Sequence, residues 1–180
     1  MGSYLARSEK SCVYGDKQKG KKMKATILYG PRDVRFEERD DPKILQPTDA
    51  IVRLAATGVC GSDFWPYRGI QPVPEPQAMG HEYCGVVEEV GSAVKTVKPG
   101  QFVIGSFCIS DNTCPNCRAG YRSGCQHLEF MTGAQAPYAR VPLADGTLVA
   151  TQEKPSDDLP PQPSRRLGCA RDRLVRGRRG

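Results

Sequence analysis

Six stretches of this 180-residue chain alternate apolar and polar positions, or run apolar for a few residues, between glycine, proline and aspartate punctuation. They are KATILY at 24–29, DAIVRLAATGV at 49–59, YCGVVEEVG at 83–91, QFVIGSFC at 101–108, YARVPL at 138–143 and GTLVA at 146–150. Strict alternation predicts a half-buried strand, whereas an amphipathic helix needs a period of about 3.6. Short strands separated by turn residues at this density predict a mainly β domain of the barrel or sandwich type. The stretch VGSAVKTVKPGQFV at 90–103 reads as a glycine-bounded turn between two strands, not as a phosphate-cradling loop. No apolar run approaches the roughly eighteen residues that a membrane-spanning helix requires, so no membrane partner is expected.

The residues that carry chemistry fall between these strands. Cys60-Gly61-Ser62-Asp63 is followed by Gly80-His81-Glu82, which places a thiol, an imidazole and carboxylates on a loop-rich background. Zinc is borderline-soft, binds thiolate and imidazole well, and keeps a position open in catalytic sites. Ser62 supplies a hydroxyl suited to moving a proton, and Asp63 and Glu82 supply carboxylates suited to orienting the imidazole or balancing a metal's charge. The competing reading is that a lone Cys and a His-Glu pair in loops are structural. Further along, Cys114, Cys117 and Cys125 are separated by two and then seven residues in a loop without a hydrophobic run, a spacing that reads as structural zinc.

Three motifs occur in order: GVCGSDFWPYRG at 58–69, MGHEYCGVVEEVGSAVKTVKPGQFVI at 79–104 and CPNCRAG at 114–120. Together they resemble the zinc-dependent alcohol dehydrogenases of the medium-chain dehydrogenase/reductase superfamily, over a domain placed at 23–155. The resemblance implies a GroES-like β-barrel with a zinc-binding lobe. It implies a catalytic zinc on Cys60 and His81 with Glu82 as a close carboxylate, Ser62 as proton-relay hydroxyl and Asp63 as partner of the imidazole. Many family members carry a His two residues beyond that acid; Trp65 stands there instead, which removes the longer relay. At the lobe the family has four ligands, and the place of the first is held by Asp111, ahead of Cys114, Cys117 and Cys125. Cys108 is the competing fourth donor. Phe64, Trp65 and Tyr67 read either as the wall of an apolar substrate pocket or as barrel-packing aromatics.

The same resemblance implies oxidation of a small alcohol, or reduction of an aldehyde, with NAD or NADP. The chain contains no G-x-G-x-x-G after a strand, so no Rossmann domain is expected in it. In the family the third protein ligand of the catalytic zinc comes from just beyond the barrel; Cys169 and Asp172 are of the right type, but no spacing supports them. The expectation is a truncated catalytic domain, inactive alone, whose oligomerisation would run through the missing domain. The alternative is a non-catalytic zinc-binding β-barrel that acts by protein contacts. A zinc-independent reductase or a GroES-type co-chaperonin would have no use for these ligands.

Charge changes the picture only at the ends. The net charge is +6, but residues 1–22 hold six Lys/Arg against two acids and residues 160–180 hold seven Arg against one, while 23–159 holds thirteen basic against seventeen acidic residues. An acidic centre without aromatics interleaved among arginines is not a nucleic-acid groove. Residues 1–22 read as a disordered basic extension or a mis-assigned start ahead of Met23. Residues 156–180 read as a divergent basic tail of the kind a reading-frame shift produces. With no apolar leader segment the protein is expected in the cytoplasm, where eight cysteines favour metal or catalysis over disulfides. Cys84, inside an apolar strand, is expected to be a buried small hydrophobe, and Cys12 and Cys169 unpaired thiols.

Overall fold

Two strands cross the middle of the molecule and deliver both halves of the first motif pair. A computed structural model describes residues 22–151; the readings for the two tails, Cys12, Cys169 and Asp172 lie outside the described residues. Strands β1 (Lys22–Gly30) and β2 (Asp33–Asp40) form a hairpin. Its turn holds Arg32 at φ 60, in the left-handed region. β3 (Ala50–Gly58), β5 (Glu82–Val90), β6 (Phe102–Gly105), β9 (Tyr138–Val141) and β10 (Leu148–Ala150) make a five-stranded sheet in the order β10-β6-β5-β3-β9. β4 (Gln77–Ala78) joins the hairpin in a three-stranded sheet, and β7 (Cys108–Ile109) pairs with β8 (Glu129–Phe130). Every pairing among the described residues is antiparallel.

Alternation selects the buried face. Ala50 and Val52 of β3, Tyr83 and Val87 of β5, Val103 of β6 and Ala139 and Val141 of β9 form one core cluster. Cys84 departs from its expected burial. Alternation along β5 turns Tyr83, Gly85 and Val87 inward, so Cys84 stays half-buried opposite Ala56. The QFVIGSFC stretch forms two strands, β6 and β7, interrupted at Ser106 and Phe107. Most of GTLVA behaves as expected, but Gly146 and Thr147 belong to a short helix, α3 (Ala144–Thr147). The other helices, α1 (Phe64–Tyr67) and α2 (Pro115–Arg118), are equally short. No helix of the described residues is long and apolar enough to cross a membrane.

The long turn between β5 and β6 is pinned by one carboxylate. Asp145 of α3 accepts hydrogen bonds from the Lys95 amide at 2.9 Å, the Thr96 amide at 2.9 Å and the Thr96 hydroxyl at 2.8 Å. Burial acts to raise the Asp145 pKa, but these donors, led by the Thr96 and Lys95 amides, outweigh it and hold the carboxyl below its ordinary value. A carboxyl with a depressed folded pKa stabilises fully above its unfolded pKa and loses that contribution as pH falls through the folded value. Asp145→Asn is therefore expected to lower stability by about 1–2 kcal/mol at neutral pH. The gap to wild type should close as pH drops below the usual carboxylate range, as measured by urea unfolding across a pH series.

Candidate metal centres

The β3–β5 register sets the first cluster. Gly58, the last residue of β3, lies opposite Glu82, the first of β5, so Cys60 emerges beside His81 and Glu82. Two glycines make the approach possible. A Cβ on Gly58 would lie 2.5 Å from Glu82 Oε2, and one on Gly80, at φ +97, would lie 2.6 Å from the Gln135 amide nitrogen. After Cys60 the chain folds into a 3₁₀ turn over Gly61–Asp63. This turn directs Asp63 back, so that the Cys60 amide donates to Asp63 Oδ2 at 2.8 Å. The other Asp63 oxygen faces His81 Nδ1 at 3.4 Å. A carboxylate only accepts, so the proton belongs on Nδ1 and the Nε2 lone pair is left for a ligand. Ser62 Oγ stands 3.4 Å from that Nε2.

Cys60, His81 and Glu82 each offer one donor atom, and these atoms lie within 4.8 Å of one another. Glu82 Oε2 is buried without a hydrogen-bond partner. An orphaned carboxylate oxygen next to a thiol is expensive unless a cation meets it. The electrostatics agree. Hydrogen bonds from Ser62 lower the Cys60 thiol, against burial and the Glu82 charge. The Asp63 carboxylate lifts His81 to about 9 in spite of its burial. A divalent cation on Nε2 therefore competes with a proton that the ring otherwise holds well. Thiolate, imidazole and carboxylate together are a donor set that suits Zn²⁺.

The second cluster lies in the excursion between β6 and β9. β7 and β8 clamp its base, with Cys108 opposite Phe130 and Ile109 opposite Glu129. Cys114 caps α2, its Sγ accepting from the Cys117 amide at 3.5 Å, and Pro115 opens the helix where a missing amide proton costs nothing. Asp111, Cys114, Cys117 and Cys125 bring their donor atoms within 4.8 Å of one another, while Cys108 sits in β7. The Cys114 and Cys125 sulfurs are 4.0 Å apart, and no disulfide joins Cys114, Cys117 and Cys125. Burial, with the neighbouring thiols of Cys114 and Cys125, pushes Cys117 up to about 12. Amides of Gln126 and Cys117 lower Cys114. Three buried thiols cannot all ionise without a cation, and a zinc ion held by this donor set would supply that charge. The amides of Thr113 and Cys114 and the His127 ring hold Asp111 well below the carboxylate range.

The cluster includes a residue that the sequence reading missed. His127 Nδ1 lies 2.7 Å from Asp111 Oδ2, and the His127 amide donates to Cys125 Sγ at 3.3 Å. One residue thus ties the first and last donors together. Its only signal in the sequence is its position two residues after Cys125.

Beside the first cluster opens a cleft of about 340 Å³, lined among others by Ser62, Asp63, His81 and Trp65. Trp65 is 56% exposed and Phe64 41% exposed, so neither packs the barrel interior. Trp65 faces the cleft, whereas Phe64 and Tyr67 meet edge to face at 6.4 Å outside its lining. The lining also carries Phe107 and Phe130, stacked at 5.6 Å with 7° between planes, and Phe107 lies 5.8 Å from the His81 ring. Neither phenylalanine stood out in the sequence, because Phe107 sits in the break between β6 and β7 and Phe130 in the two-residue β8.

Residues 46–152 match the alcohol dehydrogenase GroES-like domain. A medium chain reductase/dehydrogenase from Acremonium sp is 42% identical over 142 residues, which are 76% of this chain and 49% of the relative. Zinc-type alcohol dehydrogenase B from Aspergillus flavus is 41% identical over 140 residues, 73% of this chain and 32% of the relative. Among solved structures, the alcohol dehydrogenase TADH from Thermus sp. ATN1 superposes with a TM-score of 0.69 at 34% identity, covering 74% of this chain and 41% of that one. The chain thus spans between about a third and a half of the length of these relatives. With the matched domain covering more than half of its residues, the chain belongs to the alcohol dehydrogenase GroES-like domain family.

Proposed function

We propose that residues 23–155 are the zinc-binding catalytic domain of an oxidoreductase that interconverts alcohols and aldehydes with NAD or NADP. One zinc belongs to Cys60, His81 and Glu82, and a second to Asp111, Cys114, Cys117 and Cys125. The observation that carries the reading is the buried, unpartnered Glu82 Oε2 beside a thiol and an imidazole, with that imidazole lining a cleft. Zinc held there supplies Lewis acidity toward a substrate oxygen. Asp63 holds the His81 ring by Nδ1 and the Cys60 loop by its amide, so one carboxylate fixes both donors. Ser62, on the cleft wall and 3.4 Å from His81 Nε2, is the group through which the substrate hydroxyl exchanges its proton. With Trp65 where a longer relay would continue, that exchange passes from Ser62 to solvent. The hydride carrier binds outside the described barrel. The lobe zinc is structural, and the setting is the cytoplasm, without membrane or nucleic-acid partners.

Cobalt substitution tests the open position. In the Co²⁺-loaded chain a primary alcohol is expected to shift the visible absorption bands, and the shift should vanish in Cys60→Ser. A spectrum that ignores alcohol in the native chain contradicts a substrate-binding metal.

The lobe has its own test. Partners of metal ligands typically tune affinity by about 10- to 100-fold. His127→Ala is accordingly expected to weaken zinc at the lobe by about tenfold in chelator competition, with His127→Asn, whose amide can replace the Nδ1 donor, retaining most of the affinity. Equal affinities in wild type and His127→Ala would remove His127 from the lobe's design.

A further inference from the structure

The cleft beside Cys60 and His81 has a chemical character that narrows what it accepts, an inference that rests on the reading of that cluster as the zinc site anchoring the substrate oxygen. Its floor is apolar: Leu28 and Met131 are buried there. Its lining is aromatic as well, with Trp65 and the stacked Phe107 and Phe130. The charged side chains of the lining are Asp63 and His81, and these face each other at 3.4 Å. Among the described residues no lysine or arginine lines the cleft, and its carboxylate, Asp63, repels anions. The polar groups away from the donors, Gln71, Gln77 and Thr132, are exposed.

These features discriminate by desolvation. A substrate that carries one hydroxyl to the metal cluster and an apolar body behind it leaves no polar group unpaired. A polyol would set further hydroxyls against Trp65, Phe107 and Met131, which offer them no hydrogen bond, while Gln71, Gln77 and Thr132 are solvent-exposed, and a polar group desolvated without a hydrogen bond is costly. A phosphate or carboxylate would meet no cation beyond the metal.

We propose that this cleft takes uncharged alcohols and aldehydes with an aromatic or branched apolar body, and selects against polyols and anionic substrates, with Trp65 and Phe130 forming the selective walls.

Trp65 is the sole tryptophan of the chain, so its emission reports on this cleft alone. The test titrates the zinc-loaded chain with benzyl alcohol, xylitol and glycerol 3-phosphate while following tryptophan fluorescence. Benzyl alcohol is expected to change the emission saturably, and the other two at the same concentrations are expected to leave it unchanged. Phe130→Ala alters an exposed ring, keeps the reporter and all donors, and is expected to weaken benzyl alcohol by about tenfold. Xylitol or glycerol 3-phosphate binding as tightly as benzyl alcohol overturns the proposal, as does the absence of any saturable response. Cys60→Ser separates the two levels of the argument. Benzyl alcohol binding that is selective but unchanged in that variant supports the apolar walls and sinks the zinc anchor instead.

Discussion

The antiparallel register of β3 and β5 is the constraint on which the site depends. Gly58 opposite Glu82 brings two segments that are more than twenty residues apart in sequence to the same end of one strand pair. A slip by one residue would turn Val52 and Val87 out of the core, so the hydrophobic alternation that folds the sheet also fixes the donors. The close approach is bounded by the missing side chains of Gly58 and Gly80, where a Cβ would strike Glu82 Oε2 and the Gln135 backbone. Asp63 then converts proximity into orientation, because its two oxygens serve the Cys60 amide and the His81 ring at once.

The lobe is organised differently. Between β7 and β8 the buried cluster is Cys114, Cys117 and Cys125, with Leu128 packed against it. Such a cluster buries little apolar surface, so the excursion cannot be held by the hydrophobic effect to the extent that the sheet is. Burial, with the neighbouring thiols, raises the cost of ionising Cys117, and a bound cation would reverse that sign. A metal bound at this lobe would therefore contribute folding free energy to the segment that joins β7 to β8. The exposed His127 belongs to this economy through hydrogen bonds to Asp111 and Cys125.

The strands were legible because alternation and punctuation are local, and β1, β3, β5 and β9 stand within a residue or two of the stretches that predicted them. So were the donor types, since Cys60, His81 and Glu82, and Asp111 with its three thiols, are brought together as two clusters. What stayed hidden depends on three-dimensional pairing. Cys84 looked buried because its neighbours are apolar, yet its parity on β5 points it away from the core. Phe107 and Phe130 meet only because the β7–β8 pair closes the lobe. Trp65 was divided between pocket and packing until the placement of α1 exposed it to the cleft.

The central claim is that two separate metal sites are built by two separate donor sets, and elemental analysis of the purified chain addresses it most directly. Zinc per chain would be measured for wild type, Cys114→Ser and Cys60→Ser after removal of loosely held metal. The account predicts two zinc ions in wild type and one in each variant. A chain that holds no zinc, or variants that both lose the same single ion, would contradict it.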